Sequence, residues 1–260
     1  MPLTFTCSVD DGHPSDMKMA ELFDRHGLTA SFYIPVKNRE GMPVMSAAQM
    51  RELSACFEIG SHTLDHCYLA NISPPQARYQ ILEGKQRLEN ILGKSVSGFC
   101  YPGGKYRQKH IALVKQAGFS YARTTTNLCF DAGTNRFEMP TTCQFYPHAK
   151  SVYLRNFIRG GQWHRRQSGL YAALSAGNWL DRMYALFEHA RKTEAVFHLW
   201  MHSHNIDDWN IWSELDAFLA HVASHVSPDQ RISNGQLAAR VFATDGSAHA
   251  GILPPSLIRL

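Results

Sequence analysis

The chain lacks the cysteine spacing of a structural zinc knuckle. Its six cysteines, Cys7, Cys56, Cys67, Cys100, Cys129 and Cys143, include no Cys-x-x-Cys pair. No apolar run is as long as a membrane span, so no transmembrane segment is expected. The first strand-like stretch begins at Leu3, which leaves no room for the charged and apolar regions of a signal peptide. The resulting expectation is a cytoplasmic protein with reduced thiols. Charge is also sparse, at 18% of residues with a formal net charge of +4. No basic run is interleaved with aromatics, which argues against a nucleic-acid partner. Arg155, Arg159, Arg165 and Arg166 supply part of the mild basicity and read as a solvated face rather than a binding site for acidic substrates. Internal repeats, low-complexity segments and linkers are missing as well. A chain of 260 residues with 44% hydrophobic content therefore suits one domain over 1–260, with a loose tail over 243–260.

What the chain has is a regular alternation of strand and helix patterns. Thr4-Phe5-Thr6-Cys7-Ser8-Val9 is β-rich and stops at Asp10-Asp11-Gly12. Residues 17–26 have helical spacing and end before Gly27. Further strands are expected over 30–35, 57–60, 96–101, 119–124 and 195–200. Further helices are expected over 46–57, 73–92, 110–117, 178–191 and 209–226. The long one starts at Ser73-Pro74-Pro75 and stops at Gly93. Between 127 and 175 the pattern is hard to read, and only 137–140 and 151–158 suggest regular pieces. This alternation argues for an α/β fold with a parallel sheet or a barrel of βα units. In such folds the site lies at the carboxyl ends of the strands.

Chemistry-bearing residues collect at those ends. Asp10 and Asp11 close the first strand, and adjacent residues of a strand point to opposite faces, so the two carboxylates can serve different roles. His62 and His66 follow the third strand four residues apart. In a helical turn they would share one face and, with Asp11, make a two-histidine, one-carboxylate set with room for water. Tyr101-Pro102-Gly103-Gly104 and His202 end two further strands. His221 and His225 have the same spacing but lie on an amphipathic helix, and read as surface or groove histidines.

Three motifs in order, Ser8-Val9-Asp10-Asp11-Gly12, Ser61-His62-Thr63-Leu64-Asp65-His66 and Phe99-Cys100-Tyr101-Pro102-Gly103-Gly104, resemble those of the polysaccharide deacetylase family, also called carbohydrate esterase family 4 or the NodB-homology domain. The resemblance covers the first half of the chain and the Trp200-Met201-His202 strand end. It implies a distorted, incomplete (β/α) barrel with a divalent metal, most often Zn2+, at its mouth. It implies Asp11, His62 and His66 as metal ligands, Asp10 as the base, His202 as the acid that protonates the leaving amine, and Gly103 as a backbone donor to the oxyanion. The implied substrate is an N-acylated sugar of a polysaccharide or glycolipid precursor, such as a lipopolysaccharide precursor.

The chain departs from the family pattern in three places. The third motif normally begins with an arginine that tunes the base; here that position is Cys100, and Arg123 at the end of the next strand is the candidate replacement. No partner for the acid histidine is obvious, and Asp131 is the candidate. Trp200 stands where a leucine is usual, two residues before His202, and His204 leaves a second histidine beside the acid. Tyr33, Tyr101, Trp163, Trp209 and Trp212 are the aromatics available to stack on sugar, although the core reading is favoured for them. Two other functions compete with deacetylation: hydrolysis of another C–N bond, such as a formamide or cyclic amide, and carbohydrate binding by a disabled site.

Overall fold

A computed structural model describes residues 2–243, so the tail expected over 243–260 lies, except for Ala243, outside the described residues. In chain order the elements are β1 (Thr4–Asp10), α1 (Asp16–Arg25), β2 (Ser31–Ile34), α2 (Ala47–Cys56), β3 (Glu58–Ser61), α3 (Pro74–Leu92), β4 (Gly98–Cys100), α4 (Gln108–Gln116), β5 (Tyr121–Arg123), β6 (Cys143–Gln144), α5 (Lys150–Gly160), α6 (Trp163–Ser175), α7 (Trp179–Lys192), β7 (Val196–Met201), α8 (Ser203–Trp209), α9 (Trp212–His225) and α10 (Asn234–Phe242). The strands form one sheet in the order β5-β4-β3-β2-β1-β7-β6, with every pairing parallel. This is the expected incomplete (β/α) barrel. The chain between the two edge strands spans the gap. Met139 bridges to Arg123 of β5, and the Thr142 N–H donates to the His198 carbonyl of β7.

β1 is the centre of the sheet, flanked by β2 and β7, and all seven of its residues are buried. Its alternation separates two environments. Phe5, Cys7 and Val9 join the apolar layer under the helices, with Phe32, Phe197, Leu199 and Phe218. The opposite face is polar. Asn234 Nδ2 donates to Thr6 Oγ1 at 2.8 Å, and Ser8 Oγ lies 3.1 Å from His198 Nε2. Buried polar groups need such partners, and here they form a column that leads up the barrel interior to Asp10.

Local signals account for most helix ends. α3 begins in a Ser73/Gln76 capping box with proline in its first turn and ends at Gly93, whose φ of 68° is the left-handed conformation glycine adopts at little cost. The helix expected over 209–226 is α9, and a short helix that the sequence did not suggest, α8, precedes it and ends at Asn210 with φ 50°. Asparagine tolerates this conformation and favours helix ends. The region 127–175 holds β6, α5 and α6. Of these the sequence suggests only the core of α5. No helix among the described residues is long and apolar enough to cross a membrane.

Candidate functional site

The parallel register brings the strand ends to one mouth. Asp10 pairs with Tyr33, and Cys100 pairs with Arg123. Asp10 and Arg123 are both buried, and the Arg123 guanidinium donates through Nη2 to Asp10 Oδ1. Cys100, the residue at the usual arginine position, contributes only a weak thiol contact of 3.8 Å to Asp10 Oδ2. The guanidinium lies between the Tyr33 and Trp200 rings, 5.3 Å from each centroid. Two of the departures from the family pattern are thus connected. The arginine arrives from β5 rather than β4, and Trp200 supplies an aromatic face on which a flat, weakly hydrated cation packs well.

Asp11 follows β1 with φ 80°, a conformation that costs energy for a non-glycine residue and turns its carboxylate away from the strand. His62 Nε2 lies 3.5 Å and His66 Nε2 3.1 Å from Asp11 Oδ1, and His202 Nε2 lies 3.6 Å from Oδ2. Burial pushes the Asp11 carboxyl up, but the facing imidazoles of His62 and His66 and the charge of His202 outweigh it and hold the group well below the usual carboxylate range. The His66 imidazole is pushed down by burial, yet its contact with Asp11 leaves it raised overall. The two histidines do not share a helix face as expected. They sit in a turn, with positive φ at Thr63 and His66. That turn places their rings 5.1 Å apart.

The His62 ring is fixed by its other nitrogen, which lies 2.9 Å from the Cys100 carbonyl. Donation from Nδ1 leaves Nε2 with a lone pair facing Asp11, the arrangement a metal-ligating histidine needs. Asp11 Oδ1 is buried and has no hydrogen-bond partner among the described residues, despite the two close imidazoles. Asp11, His62 and His66 each present one ligand atom, all within 4.8 Å of one another. Two ligands about 2.0–2.1 Å from a tetrahedral zinc stand roughly 3.4 Å apart, close to the observed separations. The orphaned oxygen, the spacing and the donor types all fit a shared divalent cation.

His202 caps α8, and its Nδ1 lies 3.0 Å from Asn205 Oδ1. Gln144 Nε2 is 3.3 Å from the same nitrogen. Asp131, the sequence candidate for this partner, instead forms an ion pair with Arg165 and accepts from the Gly133 N–H. Asn205 was legible only as the third residue after a cap, a position that commonly bonds back. Gln144 carried no sequence signal. The His204 ring lies tilted beside that of His202 with centroids 5.2 Å apart, and burial pushes its imidazole down.

Gly103 has φ 58°, and a Cβ there would meet the Tyr68 ring at 2.9 Å. It lines a cleft of about 420 Å³ that opens beside the Asp11 cluster and shares Gln144 and Trp200 with the surroundings of His202. Tyr33 and Tyr101 are core residues. Trp209 is 53% exposed, against the core reading, because α8 ends there and its indole N–H donates to the Tyr146 hydroxyl. Trp163 is exposed too, and Trp212 carries Lys18 over its ring. Arg166, read from the sequence as solvated, is buried. His221 lies 3.6 Å from Glu188 of α7 on the helical surface, away from the mouth.

Comparison with known proteins follows this geometry. Residues 3–122 match the family model described as "Polysaccharide deacetylase". A relative from Bacillus subtilis (strain 168), "Putative polysaccharide deacetylase YxkH", is 24% identical over 120 residues, which is 45% of this chain and 43% of the relative. The match therefore spans less than half of that relative's length. Among solved structures, a "putative polysaccharide deacetylase from Mycobacterium smegmatis" superposes with a TM-score of 0.62 at 15% identity, covering 99% of this chain and 94% of that one. "Puue Allantoinase" also gives 0.62, at 14% identity, covering 93% and 90%. Both structural likenesses concern the fold. The two aspartates, the two histidines and the Tyr101–Gly104 segment all lie inside the matched span, whereas His202 lies beyond it. Over residues 3–122, the chain is similar to the polysaccharide deacetylase family.

Proposed function

We propose that the chain is a metal-dependent hydrolase that removes an N-acetyl or similar acyl group from an amino sugar of a polysaccharide or glycolipid precursor. The observation that carries this reading is the buried, unpartnered Asp11 Oδ1 between two imidazoles, directly beside an aspartate held by a buried arginine. Asp11, His62 and His66 would hold the cation, and two nitrogens with one carboxylate suit zinc. When bound, the ion supplies a Lewis acid and lowers the pKa of water at the site.

The chain's own groups do the rest. Asp10 accepts the proton of the attacking water, and Arg123 orients its carboxylate through a charge-assisted contact. The Gly103 N–H faces the developing oxyanion, where one such donor is worth about 3 kcal/mol. His202, oriented by Asn205, gives a proton to the amine, which leaves as a neutral group only when protonated. Convergence of Asp10, Asp11, His62, His66, Arg123 and His202 at one mouth argues against a disabled binding protein.

The test combines metal analysis with acyl release from a panel of N-acetylated sugars. Asp10→Asn is expected to retain the metal and lose most turnover, and Asp11→Ala to lose the metal. Undiminished zinc binding by Asp11→Ala refutes the ligand set, and wild-type turnover by Asp10→Asn refutes the base. Release of formate, or opening of a cyclic amide, in place of acetate would move the reaction to another C–N bond at the same groups.

A further inference from the structure

The cleft beside the Asp11 cluster carries cations and no counter-charge. Lys105, Arg155, Arg159 and Arg166 line it, and no Asp or Glu does among the described residues. Arg155 and Arg159 are four apart on α5 and so share one helix face. Both are exposed, with guanidinium groups free to meet a ligand. Arg166 is different, because it is 1% exposed and anchors the floor. Its donors go to the carbonyls of Asn127, Asn156, Phe157 and Gly161 and to the Asn127 side chain, all of them neutral acceptors. A buried cation with no carboxylate partner is costly and leaves an uncompensated positive field in its surroundings. His148 lies on the same wall. Burial pushes its imidazole down, and the charges of Arg155 and Arg182 add to the effect, to about 4. Arg182 is a second buried guanidinium bonded only to carbonyls, those of Ala173 and His148.

The cleft also meets the reaction site. Gly103, Gln144 and Trp200 border both, and Trp200 packs against His202 at 5.2 Å between ring centroids. At about 420 Å³ it falls in the range of small-ligand sites.

Resting on the deacylase reading above, we infer that this cleft binds a phosphate group carried by the substrate, so that the enzyme acts on a phosphate-bearing N-acylated amino sugar rather than a neutral glycan. Arg155 and Arg159 supply the forked donors that match phosphate oxygens, Lys105 adds a third exposed cation to the lining, and Arg166 contributes field without giving up its structural bonds. The same chemistry admits a free sugar phosphate or a lipid-linked one.

Calorimetric titration of the full chain with N-acetylglucosamine and with N-acetylglucosamine 1-phosphate tests the inference. The phosphorylated sugar is expected to bind at least roughly tenfold tighter, the equivalent of about one charge-assisted contact. Added salt should weaken that preference, and the Arg155→Gln/Arg159→Gln protein should abolish it. Both positions are exposed, so the fold should be unchanged, and the double variant also controls for phosphate held elsewhere. A lipid-linked N-acetylglucosamine phosphate in phosphatidylcholine vesicles separates the two sources: stronger binding than to the soluble compound identifies the lipid-linked form, and equal binding the free one. Equal affinity for neutral and phosphorylated sugar, or a preference that survives in the double variant, overturns the inference. Acyl release from neutral sugars without phosphate preference sinks the cleft proposal alone. Phosphate preference without acyl release sinks the deacylase reading and leaves the anion site standing.

Discussion

Replacing Arg123 with methionine removes the guanidinium that reaches Asp10 while keeping an apolar stem of similar length. Arg123 is fully buried and the Asp10 side chain is 3% exposed. Water therefore cannot take over, and the thiol of Cys100 at 3.8 Å is a weak substitute. Removing one partner of such a pair leaves an uncompensated buried charge, at a cost of about 3–5 kcal/mol. The lost packing of the cation against Tyr33 and Trp200 adds to this. In a chain of this size each kcal/mol moves the midpoint by roughly 2–4 °C, so Tm should fall by about 6–20 °C. The decisive measurement is a double-mutant cycle with Asp10→Asn, by urea unfolding in chelator. The double variant contains no buried charge at this position, so its cost should fall short of the sum of the two single costs by about 2 kcal/mol or more. Acyl release should be lost in Arg123→Met and partly retained in Arg123→Lys, which keeps the charge but not the planar fork. Additive stability costs, within about 0.5 kcal/mol, would refute the pairing. Wild-type turnover in Arg123→Met would show that the pairing does not matter to catalysis.

Two further outcomes are expected. His198 is held neutral, its pKa pushed down to about 3 first by burial and then by the charge of Arg123. The unfolded imidazole titrates near 6.5, so the unfolded chain binds the proton that the native one refuses. Stability is then complete above about pH 6.5 and falls on acidification, by about 2 kcal/mol from this residue at pH 5. Urea midpoints measured across that window should show a shallower slope in His198→Gln, and an unchanged slope would rule His198 out. Gly103→Ala meets both a left-handed backbone and the Tyr68 ring, which should cost about 1 kcal/mol of stability. If the Gly103 N–H serves the oxyanion, kcat drops with little change in KM. An unchanged kcat removes it from that role.

The chain order of strands and helices was legible because it depends on local periodicity, caps and stops, as at Ser73-Pro74-Pro75 and Gly93. The carboxyl ends of the strands were legible as the place of the site because parallel βα connection brings those ends together whatever the details. Asp10, Asp11, His62 and His66 could be singled out for that reason. What local signals could not decide was conformation stabilised by distant contacts. The turn carrying His62 and His66 needs positive φ at Thr63 and His66, residues that do not announce it. α6 and the arginine-lined cleft arise from packing of segments with weak periodicity, and Arg166 is buried because the carbonyl of Asn127, 39 residues away, and those of Asn156, Phe157 and Gly161 at the end of α5 converge on it. Asn205, not Asp131, lies against His202 because His202 caps α8, which puts Asn205 in the first turn, three residues on. The contact between Arg123 and Asp10 joins residues 113 apart in sequence. The sequence by itself made Arg123 a candidate through its strand-end position. Only the register of β4 against β5, with Cys100 facing Arg123, brought the guanidinium to the level of Asp10, because a shift of one residue would have turned it to the other face of the sheet.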